Sequence, residues 1–454
     1  MRIDFSVSPV ALLPKIRRCW ELSAVKIESI EASYQPAQGT PVFTREGRYT
    51  SRGWTEWTQG FQFGSALLQF DATGERSFLE TGRVRTLTLM APHVSHVGVH
   101  DHGFNNISTY GNLRRLLAEG RYESSEWEAH FCELALKISG AVQASRWTAI
   151  AGGGFIHSFN GPHSLFVDTI RSLRALAVAH RLGHVLMGEN DRRISLLERL
   201  IQHASATASY SVYYGEGRDA YDVWGRTAHE SIFNTKDGNY RCPNSQQGFS
   251  PFTTWTRGLA WAMLGFAEQL EFLDTVEDAE LEAYGGRARI TVMMRKAALA
   301  TCEFYLAHTS LDGIPYWDTG APNLHRLGDY TQAVADPFNP WEPVDASAAA
   351  IAAQGLLRFG RWMERQGEDG ARFRQAGLTV LATLLEEPYL STSKEHQGLL
   401  LHSVYHRPNG WDYVPPGKRT PCGESSMWGD YHLREVALYV QRLAENQPYL
   451  QFWI

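Results

Sequence analysis

The chain has 454 residues, of which 43% are hydrophobic and 20% charged, and its formal net charge is −6. These values are typical of a globular protein with a large core. No basic run exceeds two residues, which argues against a nucleic-acid partner, and the lack of any run of about 18 apolar residues argues against a membrane span. Five cysteines without metal-ligand spacing, and an N-terminus without a continuous apolar segment, predict a cytoplasmic protein.

In chain order, the hydrophobic periodicity predicts helices almost throughout. A further helix should follow Trp57, and short strands are expected only at 41–54 and 214–245, where glycines and turn signals cluster. The predicted helices cover about 10–34, 76–90, 107–119, 125–145, 164–183, 190–213, 255–273, 284–308, 345–366, 369–387 and 425–445.

Long and short loops alternate between these helices, and polar candidate residues recur just before a helix or in its first turn. This pattern favours helical hairpins closed into a toroid, with the long loops at one mouth. An open α-solenoid has the same local periodicity, but the sequence contains no repeat of fixed period. We expect one domain over 1–454, with 1–45 as an N-terminal extension packed on it.

The segment 245–261 enters one of the predicted helices and carries an amide, a cation and two indoles. Thr253 or Thr254 is a plausible N-cap. Arg257 and Trp261 are four residues apart, on one helix face. A guanidinium beside an indole suits a flat, anionic sugar, because the fork pairs with a carboxylate and the ring stacks on the pyranose. A buried Trp with a structural Arg is the alternative.

The loop at 93–102 is rich in histidine, with His93, His96, His100 and His102 around Asp101. Such a loop could bind a metal, or its imidazoles could simply form hydrogen bonds. The spacing does not match a helix-borne His pair or a zinc signature.

Asp168 interrupts an apolar run near the start of a predicted helix. It could stabilise the helix dipole. Its apolar neighbours could also raise its pKa by desolvation, as a general acid requires.

Three further features accompany helix entrances. Asp345 and Ser347 are predicted to cap the helix that follows them. The segment 423–430 places a capping serine beside a Trp and an acid, for which structural and binding roles are both open. Gly60 and Gly64 would permit close approach of a ligand or a neighbouring helix.

Taken together, several stretches resemble the unsaturated glucuronyl hydrolases, glycoside hydrolase family 88. The segment Gln-Gly-Phe-Ser-(x)4-Trp-x-Arg-Gly-x-Ala-Trp is the most specific of them. The matching stretches cover about 50–440 in the family's order: Trp57-Thr-Gln-Gly-Phe, His100-Asp-His-Gly-Phe, Val167-Asp-Thr, Ser245-Gln-Gln-Gly-Phe-Ser, Trp255-Thr-Arg-Gly-Leu-Ala-Trp, Val344-Asp-Ala-Ser-Ala-Ala-Ala-Ile and Gly429-Asp-Tyr-His.

The resemblance implies an (α/α)6 barrel that hydrates the C4=C5 double bond of an unsaturated uronic acid at the non-reducing end of an oligosaccharide, without metal or cofactor. It implies a monomer or homodimer. Asp168 would be the proton donor and base, Asp101 the second acid, and His229 a nearby catalytic imidazole. The implied substrate-binding residues are Trp57, His100, Phe159, Gln247, Arg257, Trp261 and Ser425.

The sequence also departs from the family pattern. Phe159 replaces a usual Trp after Ser158, His102 replaces an apolar residue, and Arg171-Ser172 follows the donor where an Asn is common. An exo-acting glucuronidase on saturated uronides and a non-catalytic uronide-binding protein therefore stay as alternatives.

Overall fold

The structure, a computed structural model, describes residues 1–52, 57–448 and 450–453. In these residues the helices are α1 (Pro9–Ser33), α2 (Gln59–Thr73), α3 (Arg76–Leu89), α4 (Ala91–Val94), α5 (His102–Asn106), α6 (Asn112–Ala118), α7 (Glu126–Ser145), α8 (Thr169–Ser172), α9 (Arg174–Arg181), α10 (Leu196–Tyr210), α11 (Thr256–Leu273), α12 (Asp278–Leu281), α13 (Gly286–His308), α14 (Ala346–Arg365), α15 (Ala371–Leu384) and α16 (Met427–Ala444).

Six helical segments form a closed inner ring. In order around the ring they are α2, α5 with α6, α8 with α9, α11, α14 and α16, and α16 packs back on α2. The helices α1, α3, α7, α10, α13 and α15 pack around the outside of this ring. Closure of the ring distinguishes the fold from an open solenoid. The predicted (α/α)6 toroid is therefore confirmed.

The inner helices are buried on all sides, as expected for segments enclosed by a second layer. Every residue of α11 is buried, and only the last turn of α14 reaches the surface. On the outer layer, α1 packs against α16 and α2, so the N-terminal segment contributes to the barrel wall. The predicted division at residue 45 stays a prediction.

The described strands are short and antiparallel and lie in the connections between helices. They form two-stranded ribbons and one three-stranded sheet, in which β8 lies between β5 and β9. The strands are β1 (Pro41–Arg45), β2 (Arg48–Ser51), β3 (Trp147–Ile150), β4 (Gly153–Ile156), β5 (Ser164–Phe166), β6 (Leu186–Met187), β7 (Arg193–Ile194), β8 (Glu230–Phe233) and β9 (Tyr240–Asn244).

Most predicted helix limits agree with the structure to within about three residues, but three starts were wrong. The helix expected from residue 107 begins at His102, the first residue of α5. The helix expected from residue 190 begins at Leu196, because Asn190 and Asp191 have positive φ and the chain then forms β7. The helix expected at 164 begins at Thr169, after β5.

The capping predictions had mixed outcomes. Asp345 caps α14, since its Oδ1 accepts from the N–H groups of Ser347 (3.1 Å) and Ala348 (3.4 Å). The cap predicted for α11 was wrong: Trp255 is the N-cap, without a side-chain hydrogen bond. The Thr254 hydroxyl instead accepts from the N–H of Thr227, 3.1 Å away.

Gly60 and Gly64 allow α2 to cross its neighbour at backbone distance. A Cβ atom at Gly60 would lie 2.4 Å from Cα of Asn105, and one at Gly64 would lie 2.5 Å from the carbonyl oxygen of Ser108. Both glycines therefore serve helix packing. No helix among the described residues has both the length and the apolar character to span a membrane.

We expect Gly60→Ala to destabilise the barrel, because the added methyl group would collide with backbone that has no rotamer to relieve the contact. The free energy of unfolding should fall by about 1–3 kcal/mol or more. Chemical denaturation would measure the loss. Thr88→Ala, on the exposed face of α3, is the control and should change stability by less than about 0.5 kcal/mol. A stable Gly60→Ala protein would contradict this crossing geometry.

Candidate active site

A pocket opens where loops meet the N-termini of the inner helices α5, α8 and α11. It encloses about 690 Å³, counted out to its open mouth. It is lined by Trp57, His100, Asp101, Phe104, Phe159, Phe166, Asp168, Gln246, Gln247, Trp255, Arg257, Trp261, Tyr405, His406, Asn409 and Trp411. Eight of the ten predicted site residues are in this set; His229 and Ser425 are not.

Two buried carboxylates lie in the pocket near the same nitrogen of one imidazole. His100 Nε2 is 3.2 Å from Oδ1 of Asp168 and 3.9 Å from Oδ1 of Asp101. Asp101 and Asp168 are the N-cap residues of α5 and α8, but neither uses its side chain to cap the helix. Both carboxylates therefore remain available to the pocket.

The two carboxyl groups have opposite pKa shifts. Burial is the largest influence on each, and it raises the pKa of Asp101. For Asp168 burial acts in the same direction, but the hydrogen bond and charge of His100, with the charge of Arg257, lower the pKa overall. Desolvation thus acts on Asp168 as predicted, but the pKa is lowered overall because His100 is its partner, which the sequence did not show.

His100 itself is fully buried, and burial lowers its pKa. The charge of Asp101, together with the hydrogen bond and charge of Asp168, outweighs burial and raises the pKa above its ordinary value. The three side chains can thus share protons within one cluster, and their titrations depend on one another.

His229 lies one layer behind the pocket surface. Its ring contacts those of Phe166 (4.5 Å between centroids) and Trp255 (4.7 Å), and its Nδ1 accepts from the N–H groups of Gln246 (2.9 Å) and Gln247 (3.3 Å). Burial lowers its pKa to about 3, so the imidazole is neutral. In this position it fixes the backbone of the glutamine pair.

Arg257 forms part of the pocket wall, and most of its donors are already bound. Nη1 donates to Asp345 Oδ2 (3.1 Å) and to the carbonyl of Val404, while Nη2 donates to Gln247 Oε1 (2.9 Å) and to the carbonyl of Tyr405 (2.8 Å). These are four of the five N–H donors of an arginine. The guanidinium of Arg257 is therefore not free to bind a substrate carboxylate. It acts on the pocket mainly through Gln247, because its hydrogen bond to Oε1 orients the amide nitrogen of that side chain.

Aromatic rings form the rest of the wall. Trp57 stacks on Trp428 (4.9 Å, 24°), and Trp261 packs against Phe104 (4.9 Å). Phe159 stacks on the ring of His100 (5.9 Å, 22°). Flat apolar surfaces beside charged groups are suited to the C–H faces of a sugar ring.

Ser425 does not line the pocket, in contrast to its predicted role in binding. It is completely buried, and its hydroxyl donates to Asp430 Oδ1 (2.6 Å). The cap of α16 is Ser426, whose Oγ accepts from the N–H of Gly429 (3.1 Å). Ser425 therefore stabilises the entrance of α16 instead of facing a ligand.

The histidines of the 93–102 loop point to separate partners. His93 is 2.7 Å from Gln59 Oε1, and His102 is 3.0 Å from Ser139 Oγ. Among the described residues no group of three or more metal-binding side chains is found.

The rim formed by Tyr405, His406, Asn409 and Trp411 was not predicted as part of the site. It belongs to the loop 388–424, whose sequence has no helix or strand periodicity. Asp412 fixes this rim, because its carboxylate accepts from the backbone N–H of His406 (3.1 Å) and of Tyr405. The density of Trp and Tyr in the loop was the only available signal.

The known proteins that this chain resembles in sequence are named as unsaturated uronyl-type hydrolases, as the following comparisons show. No family model matches it. An unsaturated glucuronyl hydrolase of Bacillus sp. (strain GL1) is 25% identical over 405 residues, covering 87% of this chain and 89% of the relative. That of Formosa agariphila is 24% identical over 394 residues, covering 86% and 80%. The chain is a relative of the unsaturated glucuronyl hydrolases. The predicted resemblance and the prediction of a glycoside hydrolase are thereby confirmed.

Solved structures of unsaturated glucuronyl hydrolases have the same fold. The Bacillus sp. GL1 enzyme aligns with a TM-score of 0.70 at 21% identity, covering 96% of this chain and 98% of its own. An unsaturated glucuronyl hydrolase specific for heparin aligns with a TM-score of 0.71 at 19% identity, covering 95% and 98%. A Streptococcus pyogenes serotype M1 relative, an unsaturated chondroitin disaccharide hydrolase, is 22% identical over 402 residues, covering 87% of this chain and 84% of the relative.

The geometry predicts that the carboxylates of Asp101 and Asp168 both raise the pKa of His100. Asp168→Asn and Asp101→Asn should each lower it, since each removes a negative charge that stabilises the imidazolium. Proton–carbon NMR of labelled histidine would follow the titration, with His100→Gln to assign the signal. Glu280→Gln is the matched control and should change only His180, which lies 3.1 Å from Glu280. An unchanged His100 pKa in both Asp variants would contradict the cluster.

Proposed function

We propose that the protein hydrates the C4=C5 double bond of an unsaturated uronic acid at the non-reducing end of an oligosaccharide. Its relatives are named unsaturated glucuronyl hydrolases and unsaturated chondroitin disaccharide hydrolases. The observation that carries the proposal is the pair of buried carboxylates, Asp101 and Asp168, joined by His100 at the bottom of an aromatic pocket. Oligosaccharides with such ends are made by polysaccharide lyases. The proposed chemistry requires no cofactor.

The substrate is a vinyl ether, so protonation of carbon begins the reaction. Asp168 gives its proton to C4, and the positive charge that develops at C5 is shared with the ring oxygen. The resulting carboxylate then takes a proton from a water molecule as that water adds to C5. The hemiketal opens by breaking the bond from C5 to the ring oxygen, which leaves a hemiacetal at C1 that expels the remaining saccharide.

Asp168 must carry a proton when the sugar is bound, although its pKa is low in the free protein. A uronate in the pocket adds negative charge and excludes water, and both changes raise the pKa of a neighbouring carboxyl group. His100, with its raised pKa, lies at hydrogen-bond distance and can supply the proton. The carboxylate of Asp101 favours the protonated form of His100, since its negative charge raises the pKa of that imidazole.

The remaining residues have binding roles in this proposal. Trp57, Trp261 and Phe159 contact the sugar faces. Gln247, oriented by Arg257, donates its amide N–H groups to the substrate. His229 is a positioning residue, since it holds the backbone of the glutamine pair.

We expect Asp168→Asn to lower kcat at least about a hundredfold, because the amide can neither donate nor accept the transferred proton. The assay follows loss of the ultraviolet absorbance of the conjugated double bond in lyase-generated disaccharides. Asp237→Asn, in the exposed turn between β8 and β9, is the matched control and should keep the wild-type rate. Both variants should show the wild-type unfolding transition.

The alternative functions, a glucuronidase and a non-catalytic binding protein, give different outcomes in activity and binding assays. Full retention of the absorbance with every unsaturated uronide would rule out hydration. Release of the aglycone from a saturated aryl glucuronide would instead indicate a glucuronidase acting through two carboxylates. Binding of uronides without turnover of either substrate would indicate a binding protein.

A further inference from the structure

The outward face of the outer helix α7 carries a row of apolar side chains in contact with solvent. Trp127 is 71% exposed, Leu134 is 55% exposed and Ile138 is 37% exposed. The ring of the half-buried Phe131 stacks on that of Trp127, with 5.2 Å between centroids and an angle of 10°. Single exposed apolar side chains are common, but a contiguous row of them marks a contact surface. We call these four residues the α7 row.

The spacing of the α7 row is that of a seam between two helices. Its members are four, three and four residues apart, like the a and d positions of a coiled coil. The opposite face of α7 packs on the barrel, where Gln143 donates to the carbonyl of His100 (2.9 Å). The row is therefore a second, unpartnered face of the same helix, shaped to receive another helix.

The α7 row is complementary to itself. Consider two copies of α7 packed antiparallel about a two-fold axis between positions 132 and 133. Trp127 of one copy then lies opposite Ile138 of the other, and Phe131 lies opposite Leu134. Each aromatic ring meets an aliphatic chain, and no member of the row faces a polar residue. Self-complementarity of this kind is what an interface between two identical chains requires.

Charged residues beside the row favour the same arrangement. Glu126 and Lys137 lie on one flank of α7. Within the described part of the chain neither has an ion-pair partner, whereas Glu133 of the same flank pairs with Arg114 at 3.4 Å. The antiparallel arrangement brings Lys137 of one copy beside Glu126 of the other, and the two-fold axis repeats this pair. A parallel arrangement would instead bring like charges together.

We propose that the protein forms a homodimer through the α7 row, with the two α7 helices antiparallel. The helix has 20 residues and is about 30 Å long. On one side of it, β6 packs against α7 and adds the 53% exposed side chain of Met187 to the apolar surface. Such a surface gives an interface at the small end of stable complexes, so we expect a dissociation constant on the order of 10 μM. The inference is independent of the proposed function.

Sedimentation equilibrium at protein concentrations below and above this value should show a monomer that becomes a dimer. Leu134→Glu should raise the dissociation constant at least about a hundredfold, because each copy would bury an unpaired carboxylate in the seam. Val292→Glu is the matched control, since Val292 is 66% exposed on a different outer helix, α13, and it should leave the association unchanged. Both variants should keep the wild-type unfolding transition.

Charge reversal tests the arrangement without changing the α7 row. Glu126→Lys and Lys137→Glu should each raise the dissociation constant about threefold to tenfold, since each creates two like-charged pairs across the interface. The double variant should restore the wild-type value. The two positions are about 16 Å apart along one helix, so this rescue reports a pair between two copies. It also decides the inference if Leu134→Glu fails to fold.

Crosslinking tests the antiparallel direction in a Cys242→Ser background, which lacks the exposed thiol. A short bismaleimide should join two copies of Leu134→Cys, because these positions are offset by only about 4.5 Å along the axis. It should not join two copies of Ile138→Cys, whose offset is about 16 Å. Equal crosslinking of both variants would indicate parallel helices and contradict the proposed arrangement.

A wild-type protein that stays monomeric at every concentration would overturn the inference and leave the α7 row to a partner of another kind. A dimer that forms equally well in Leu134→Glu would place the interface elsewhere and overturn it as well. Loss of the dimer in Leu134→Glu, with rescue by the double charge reversal, supports it.

Discussion

The pocket depends on the guanidinium of Arg257. It joins α11, on which it lies, to the start of α14 through Asp345 and to the rim loop through the carbonyls of Val404 and Tyr405. The rings of Trp255 and Trp428 lie on it at 4.7 and 4.8 Å. A buried arginine is costly unless its donors are satisfied, so the loops that satisfy it are held in fixed positions.

A second set of buried charges lies beneath the pocket. Arg171 is one turn after Asp168, and it pairs with Glu268 of α11 (2.6 Å) and Glu435 of α16 (2.8 Å). Arg358 of α14 reaches Glu271 at 2.7 Å. These pairs connect four inner helices around the barrel axis. Arg171 therefore holds the helix after Asp168 by charge.

Much of the fold could be predicted from the sequence, because the long helices have strong periodicity and are bounded by glycine, proline and capping residues. Asp345 could be assigned as a cap from its place before an alanine-rich run. The site was predicted less completely. Three of the four partners of Arg257 are 88 to 148 residues away along the chain, and local patterns do not report such contacts. For the same reason, the sequence could not show that His100 would lower the pKa of Asp168.

The rim was missed for another reason. The loop that carries it is irregular, and its shape follows from a buried acid, Asp412, that binds backbone N–H groups. Ser425 shows the opposite error. A serine near a helix entrance matched the expectation for a binding residue, but its hydroxyl donates a hydrogen bond to Asp430 instead. A motif identifies the residue types at a site more reliably than it identifies which side chains face the ligand.

The central claim is that Asp168 protonates C4 of an unsaturated uronic acid. The most direct measurement is a crystal structure of the Asp168→Asn variant with a bound unsaturated disaccharide. The account predicts that the side chain at position 168 lies within about 3.5 Å of C4, a near-attack distance, with the sugar against the aromatic wall and the leaving sugar toward the pocket mouth. A complex in which that side chain faces the glycosidic oxygen, with C4 remote from it, would contradict the account.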